Sequence, residues 1–155
     1  MQALLLVMVS WLSINFGLPA VYEPPRVAVV PAAKMAEVRY SRLASPRPDG
    51  VVAEAERAAL LESGRDVHAI YDDFSRTIYL DEGWTAASPA HVSVLVHELV
   101  HHLQNVGGVK YDCPQAREKP AYRAQARWLE LTGNSLEDDF EIDAMTILVR
   151  TNCMR

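Results

Sequence analysis

At 155 residues and 17.3 kDa the chain has the length of one domain, and with half of its residues apolar it can fill one core. Fifteen basic against twenty acidic side chains leave a net charge of −5 at pH 7. With no basic run and no aromatic-basic platform, nucleic acid is excluded as an expected partner.

The first twenty residues, MQALLLVMVSWLSINFGLPA, contain no charged side chain and end in Leu18-Pro19-Ala20. A short apolar core before small residues reads as a signal peptide over 1–20, although no Lys or Arg marks its start. The alternatives are a retained N-terminal membrane anchor or a buried N-terminal helix or strand. Export, to a periplasm or out of the cell, is the expectation. The two cysteines, Cys113 and Cys153, fit it as one disulfide. A membrane is a partner only if the N-terminal segment is kept.

Residues 21–48 hold five of the nine prolines, which predicts an extended, irregular lead-in with one short strand near Arg26–Val30. A single domain follows over 49–155. Asp49 is placed to cap an Ala/Glu/Leu-rich helix that stops at Gly64. DVHAIYDDFSRTIYLDE then alternates as two strands around a turn at Asp72–Arg76. Ser88-Pro89 starts a helix that Gly107-Gly108 ends. A second helix spans about 117–132, and Ser135 caps a third over LEDDFEIDAMTILVR, whose acidic first turn suits the helix dipole.

The chemistry concentrates in SVLVHELVHHLQ, residues 93–104. His97-Glu98-Leu99-Val100-His101 is H-E-x-x-H, and histidines four apart on a helix stand one turn from each other, where both imidazoles reach one ion. Glu98 projects from a neighbouring angle, close enough to take a proton without being a ligand. Val92, Leu95, Val96, Leu99, Leu103 and Val106 form an apolar stripe; His97 and His101 lie opposite with Val94, Val100 and Gln104. A charge-free opposite side predicts a cleft wall or interior. His102 points elsewhere, as a surface residue or one that supports the site without being a ligand.

A catalytic zinc commonly takes three protein ligands and a water. A third histidine at the metzincin spacing is excluded, because Gln104 and Gly107 stand where Gly and His are needed. On the second helix Glu118, Ala121, Tyr122, Gln125, Trp128 and Leu129 share the inward face. An inward carboxylate requires a cation or hydrogen bonds, which nominates Glu118. It also fits as a charge favoured at a helix N-terminus, and Asp112, Asp139 and Asp143 are weaker rivals.

HELVH followed 17 residues later by EKPA (Glu118-x-x-Ala121) resembles the gluzincin branch of zinc metallopeptidases. Tyr71 through Leu131 also resemble small bacterial zincin-like proteins with that signature. The resemblance implies an α+β, minimal zincin-like fold, mostly helical, with a small antiparallel sheet or hairpin packed on the active-site helix. It implies Zn2+ held by His97, His101 and Glu118, a zinc-bound water, Glu98 as general base, and a peptide or protein substrate. It further implies that RTIYLDE is the edge strand against which a peptide lies. One position departs: where some gluzincins carry an Asp to orient a histidine, this chain has Tyr122. Either Tyr122 serves as hydrogen-bond donor or oxyanion stabiliser, or another carboxylate orients the ring; Tyr111, His102 and Arg117 are further candidates for the oxyanion.

The expected function is therefore a zinc metallopeptidase. The alternative is a non-catalytic exported zinc-binding domain, or a degenerate peptidase acting as a binding module. Glu98 between the two histidines favours catalysis, since a structural brace has no use for it.

Overall fold

The computed structural model describes residues 1–20, 23–43 and 67–153, which divide between two compact units. The helix expected after Asp49 lies outside the described residues. The chain is α+β, mostly helical with one small sheet.

The unit from Arg26 to Trp84 holds the sheet. The alternating stretch folds as the expected hairpin, with β2 (Ala69–Asp72) antiparallel to β3 (Thr77–Asp81). Its turn is fixed by Asp72, whose carboxylate accepts from the backbone N–H groups of Phe74 (3.3 Å) and Ser75 (3.1 Å). β1 (Arg26–Val30) occupies the predicted residues and pairs in parallel with β3, Arg26 opposite Thr77 and Val30 opposite Asp81. The order is β1-β3-β2, so the sheet is mixed and β3 is its central strand. This corrects the expectation that RTIYLDE is an edge strand: β1 already occupies the backbone groups that a peptide would pair with.

A second correction concerns 21–48. After Pro31 the chain has no proline until Pro46, and Ala32–Leu43 forms helix α2 instead of an irregular lead-in. Met35 and Val38, one turn apart, pack on Ile70 with Val30, Val67 and Tyr79 around them. That cluster is the unit's core.

The other unit, Met1–Pro25 with Thr85–Arg155, carries the remaining helices. Helix α1 (Gln2–Phe16) buries Leu5, Met8, Val9 and Leu12, spaced as one helical face, and leaves Leu6, Val7 and Ile14 exposed. Trp11 meets Trp128 edge-on at 5.0 Å between ring centroids. The segment expected as a signal peptide is thus packed as a helix in this unit. No helix among the described residues is long and apolar enough to cross a membrane.

Helix α3 (Pro89–Val106) begins as predicted: Ser88 accepts from the N–H of His91 at 3.3 Å, and Pro89 occupies the first helical position. Its predicted stripe from Val92 to Leu103 is buried, and so is most of the opposite side. A helix buried all round matches the charge-free sequence. Gly107 ends it with little room to spare, since an added Cβ would stand 2.6 Å from Cγ of Pro19 and 2.8 Å from the Leu103 carbonyl oxygen.

A 3-10 turn (Pro114–Arg117) feeds helix α4 (Glu118–Glu130), which packs along α3. The predicted third helix is two: α5 (Leu136–Phe140) and α6 (Ala144–Thr151). Glu141 adopts the left-handed conformation (φ 55°) that stops α5, and Asp143 restarts the helix by accepting from the Thr146 N–H at 2.7 Å. The disulfide Cys113–Cys153, with 5.8 Å between Cα atoms, ties the end of α6 to the 3-10 turn.

Candidate metal centre

Two helices supply the centre. The four-residue spacing on α3 puts His97 and His101 one turn apart on the side facing α4. Glu118 is the first residue of α4, and Pro120 lies in the first turn, where its missing N–H costs no helical bond. The Glu118 Oε2 atom lies 3.2 Å from Nε2 of His97 and 3.2 Å from Nε2 of His101. One ligand atom from each of the three residues falls within 4.8 Å of the other two, so the group could hold a metal ion.

The far side of each ring explains why those nitrogens are available. His97 donates from Nδ1 to Oε1 of Gln125 at 3.0 Å. Gln125 donates from Nε2 to Ser93 Oγ at 3.2 Å, and Ser93 donates on to the Ala90 carbonyl at 2.7 Å. His101 donates from Nδ1 to Oε1 of Gln104 at 3.0 Å, while Gln104 donates from Nε2 to the Arg117 carbonyl at 3.0 Å. Each amide thus has its NH2 group engaged elsewhere and turns its oxygen to an imidazole. An oxygen there holds the proton on Nδ1 and leaves a lone pair on Nε2.

Two lone pairs and a carboxylate oxygen then converge on one point, an arrangement that needs a positive charge. Without a metal, a proton supplies it. Burial works against charge on His97, but the Glu118 carboxylate and the nearby Glu98 outweigh it and hold the imidazole pKa above its ordinary value. Burial likewise works against ionised Glu118, yet hydrogen bonds to His101 and His97 hold its carboxyl far below the usual carboxylate range. A metal ion answers the same demand, and two imidazoles with one carboxylate are a donor set that suits zinc. The residues present fit the ion.

His101 is only 1% exposed, whereas the Glu118 side chain keeps 27% of its surface open, so the centre is closed on the α3 side and accessible on the Glu118 side. Glu98 is buried beside it, with its charge acting on His97. Tyr122, one turn after Glu118, sets its ring edge-on to His97 at 4.8 Å and accepts from Nη1 of Arg150 through its hydroxyl at 3.0 Å.

Other sequence candidates fall away from the group. His102 is 2% exposed, not a surface residue, and donates from Nε2 to the Glu23 carbonyl at 3.0 Å. Asp139 accepts from Asn134 at 3.0 Å, Asp143 caps α6, and Asp112 is exposed. The orienting partners of the histidines are neither Tyr122 nor a carboxylate but Gln104 and Gln125, whose role sequence reasoning missed. The signal was present: Gln104 stands one turn after His101, and Gln125 two turns after Glu118 on the inward face. Arg150 had no such signal, because nothing local relates it to Tyr122.

Comparison with known proteins adds a family and no named activity. No curated protein and no solved structure matches the chain. The family model described as "Domain of unknown function (DUF6647)" matches residues 1–155, and the chain belongs to that family.

Proposed function

We propose that the protein is a zinc-dependent peptidase with His97, His101 and Glu118 as ligands and Glu98 as general base. The observation that carries the proposal is the composition of the group: three ligating residues and no fourth among the described residues, with a second buried glutamate beside them. A structural zinc takes four protein ligands, whereas a catalytic one leaves a position for water or substrate. Peptide as the substrate rests on the resemblance of HELVH…EKPA to gluzincins. The disulfide supports an oxidising compartment, and with it the proposal of export.

When bound, zinc would lower the pKa of a coordinated water toward about 7 and polarise the scissile carbonyl. The chain's own residues do the rest. Gln125 and Gln104 hold both rings with Nε2 presented, the orientation in which the two imidazoles would hold the ion. Glu98 accepts the proton of the attacking water and returns it to the leaving amine nitrogen. Arg150 donates to the Tyr122 oxygen, which directs the phenolic proton away from Arg150 and leaves it available to the developing oxyanion.

The test is a peptide-library digest by the wild-type protein beside Glu98→Gln. The substitution should retain zinc and abolish cleavage. Cleavage that persists in Glu98→Gln removes Glu98 as the base; zinc without cleavage by either protein returns the site to a non-catalytic role.

A further inference from the structure

We propose that Arg150 binds a carboxylate of the substrate beside the metal site, so that the enzyme favours peptides bearing that charge a few residues beyond the scissile bond. The inference rests on the peptidase proposal and deepens it by naming a substrate class. Arg150 stands in the last turn of α6, and its Nη1 donates to the Tyr122 hydroxyl at 3.0 Å. Tyr122 in turn packs on His97 at 4.8 Å. One aromatic ring therefore separates the guanidinium from a candidate ligand.

The turn that carries Arg150 is held from several sides, while the Arg150 side chain is itself exposed. Thr151, the next residue, is buried; α6 packs on α4; and Cys153 is bonded to Cys113, at the head of the turn that leads into Glu118. The helix that carries Arg150 is covalently linked to the segment that carries the third ligand.

Among the described residues the charge on Arg150 has no carboxylate counterpart. Although acidic residues outnumber basic ones in the chain, no carboxylate among the described residues pairs with it, whereas Arg127 pairs with Glu130 and Lys34 with Glu37. A guanidinium carries five N–H donors and no acceptor, and Tyr122 takes one of them. The remaining donors form a planar fork that matches a carboxylate in bidentate geometry. An extended chain advances about 3.5 Å per residue, so a peptide whose scissile carbonyl lies at the metal brings a carboxylate one to three residues further on into reach. That carboxylate is either a free C-terminus or an Asp or Glu side chain.

Binding separates this inference from the chemistry. Zinc-loaded Glu98→Gln protein is titrated calorimetrically with three peptides of one sequence: a free C-terminal carboxylate, a C-terminal amide, and an amide with Glu next to the C-terminus. A charged peptide should bind at least tenfold more tightly than the neutral amide; which charged peptide does so identifies the source. The preference should shrink to within twofold in Arg150→Gln and be partly restored in Arg150→Lys, with metal content and circular dichroism unchanged. Equal affinity for all three peptides, no binding of any, or a preference that survives Arg150→Gln overturns the inference. Cleavage of the neutral amide by wild type as fast as the charged peptides leaves the peptidase proposal standing and removes the carboxylate site. Arg150-dependent binding with no cleavage of any peptide does the reverse.

Discussion

Gln125→Leu is the substitution that most sharply probes the preparation of the site. It keeps the approximate volume of a buried side chain and removes the oxygen that accepts from His97 Nδ1. Two costs follow. In the metal-free protein the buried Nδ1–H group loses its acceptor, worth about 1–3 kcal/mol of folding stability. Ser93 loses a donor but still gives its own proton to the Ala90 carbonyl, so the penalty centres on His97. In metal binding, loss of the outer partner of a ligating histidine typically costs 10- to 100-fold in affinity, about 1.4–2.7 kcal/mol. Gln125→Glu keeps an acceptor at the same place and should retain most of the affinity. Competition against a chromophoric zinc chelator measures the second cost, and thermal unfolding of the chelator-treated protein measures the first. A folded Gln125→Leu protein that binds zinc as tightly as wild type would refute the reasoning.

Four further predictions address the charge, the covalent link and the N-terminal segment. In the metal-free protein the raised pKa of His97 contributes stability that is complete below its ordinary value of 6.5 and is lost as pH rises through the raised value, while the lowered pKa of Glu118 contributes stability above its ordinary 4.5 that is lost as pH falls. The melting temperature of metal-free protein should therefore peak between those two pH values and change little with pH in Glu118→Gln; a flat wild-type profile contradicts this. Replacing Cys113 and Cys153 by Ser opens a loop with a sequence separation of 40 and should cost roughly 4 kcal/mol in the chain-entropy model, read by urea unfolding. Removing residues 1–20 uncovers what Leu5, Met8, Val9 and Leu12 bury and should cost on the order of 5 kcal/mol, with a changed environment for Trp128 in fluorescence. Gly107→Ala should weaken the same unit through its clash with Pro19; a truncated chain of undiminished stability would instead favour a cleaved leader.

What was legible in the sequence was what local periodicity encodes. The 3.6-residue spacing around His97 put both histidines on one side of α3, and the same spacing on the next helix turned Glu118 inward. The Ser88-Pro89 start, the hairpin alternation and the Arg26–Val30 strand were equally local signals. Apart from α2, whose proline-free stretch was itself a local signal, the misses involve partners distant in the chain or competing local chemistry. β3 read as an edge strand because nothing in RTIYLDE announces that Arg26–Val30 will pair with it. His102 read as a candidate surface residue because its partner, the Glu23 carbonyl, lies 79 positions away. The third helix read as continuous because its apolar spacing passes through Glu141-Ile142-Asp143, whereas an aspartate cap and a left-handed residue outweigh that spacing. Gln104 and Gln125 were assigned to the correct faces without a role, since an amide's function depends on which atom it turns to its neighbour.

The central claim is that two imidazoles and one carboxylate form an open metal site. Metal content combined with X-ray absorption at the zinc edge, on protein equilibrated with zinc, tests it most directly. The account predicts one zinc per chain with two nitrogen ligands and at least one carboxylate oxygen at about 2.0–2.2 Å, a position left for water, and loss of the ion in Glu118→Ala. Zinc that remains at full occupancy in Glu118→Ala, a closed set of four protein ligands, or no bound zinc in the wild-type protein would contradict it.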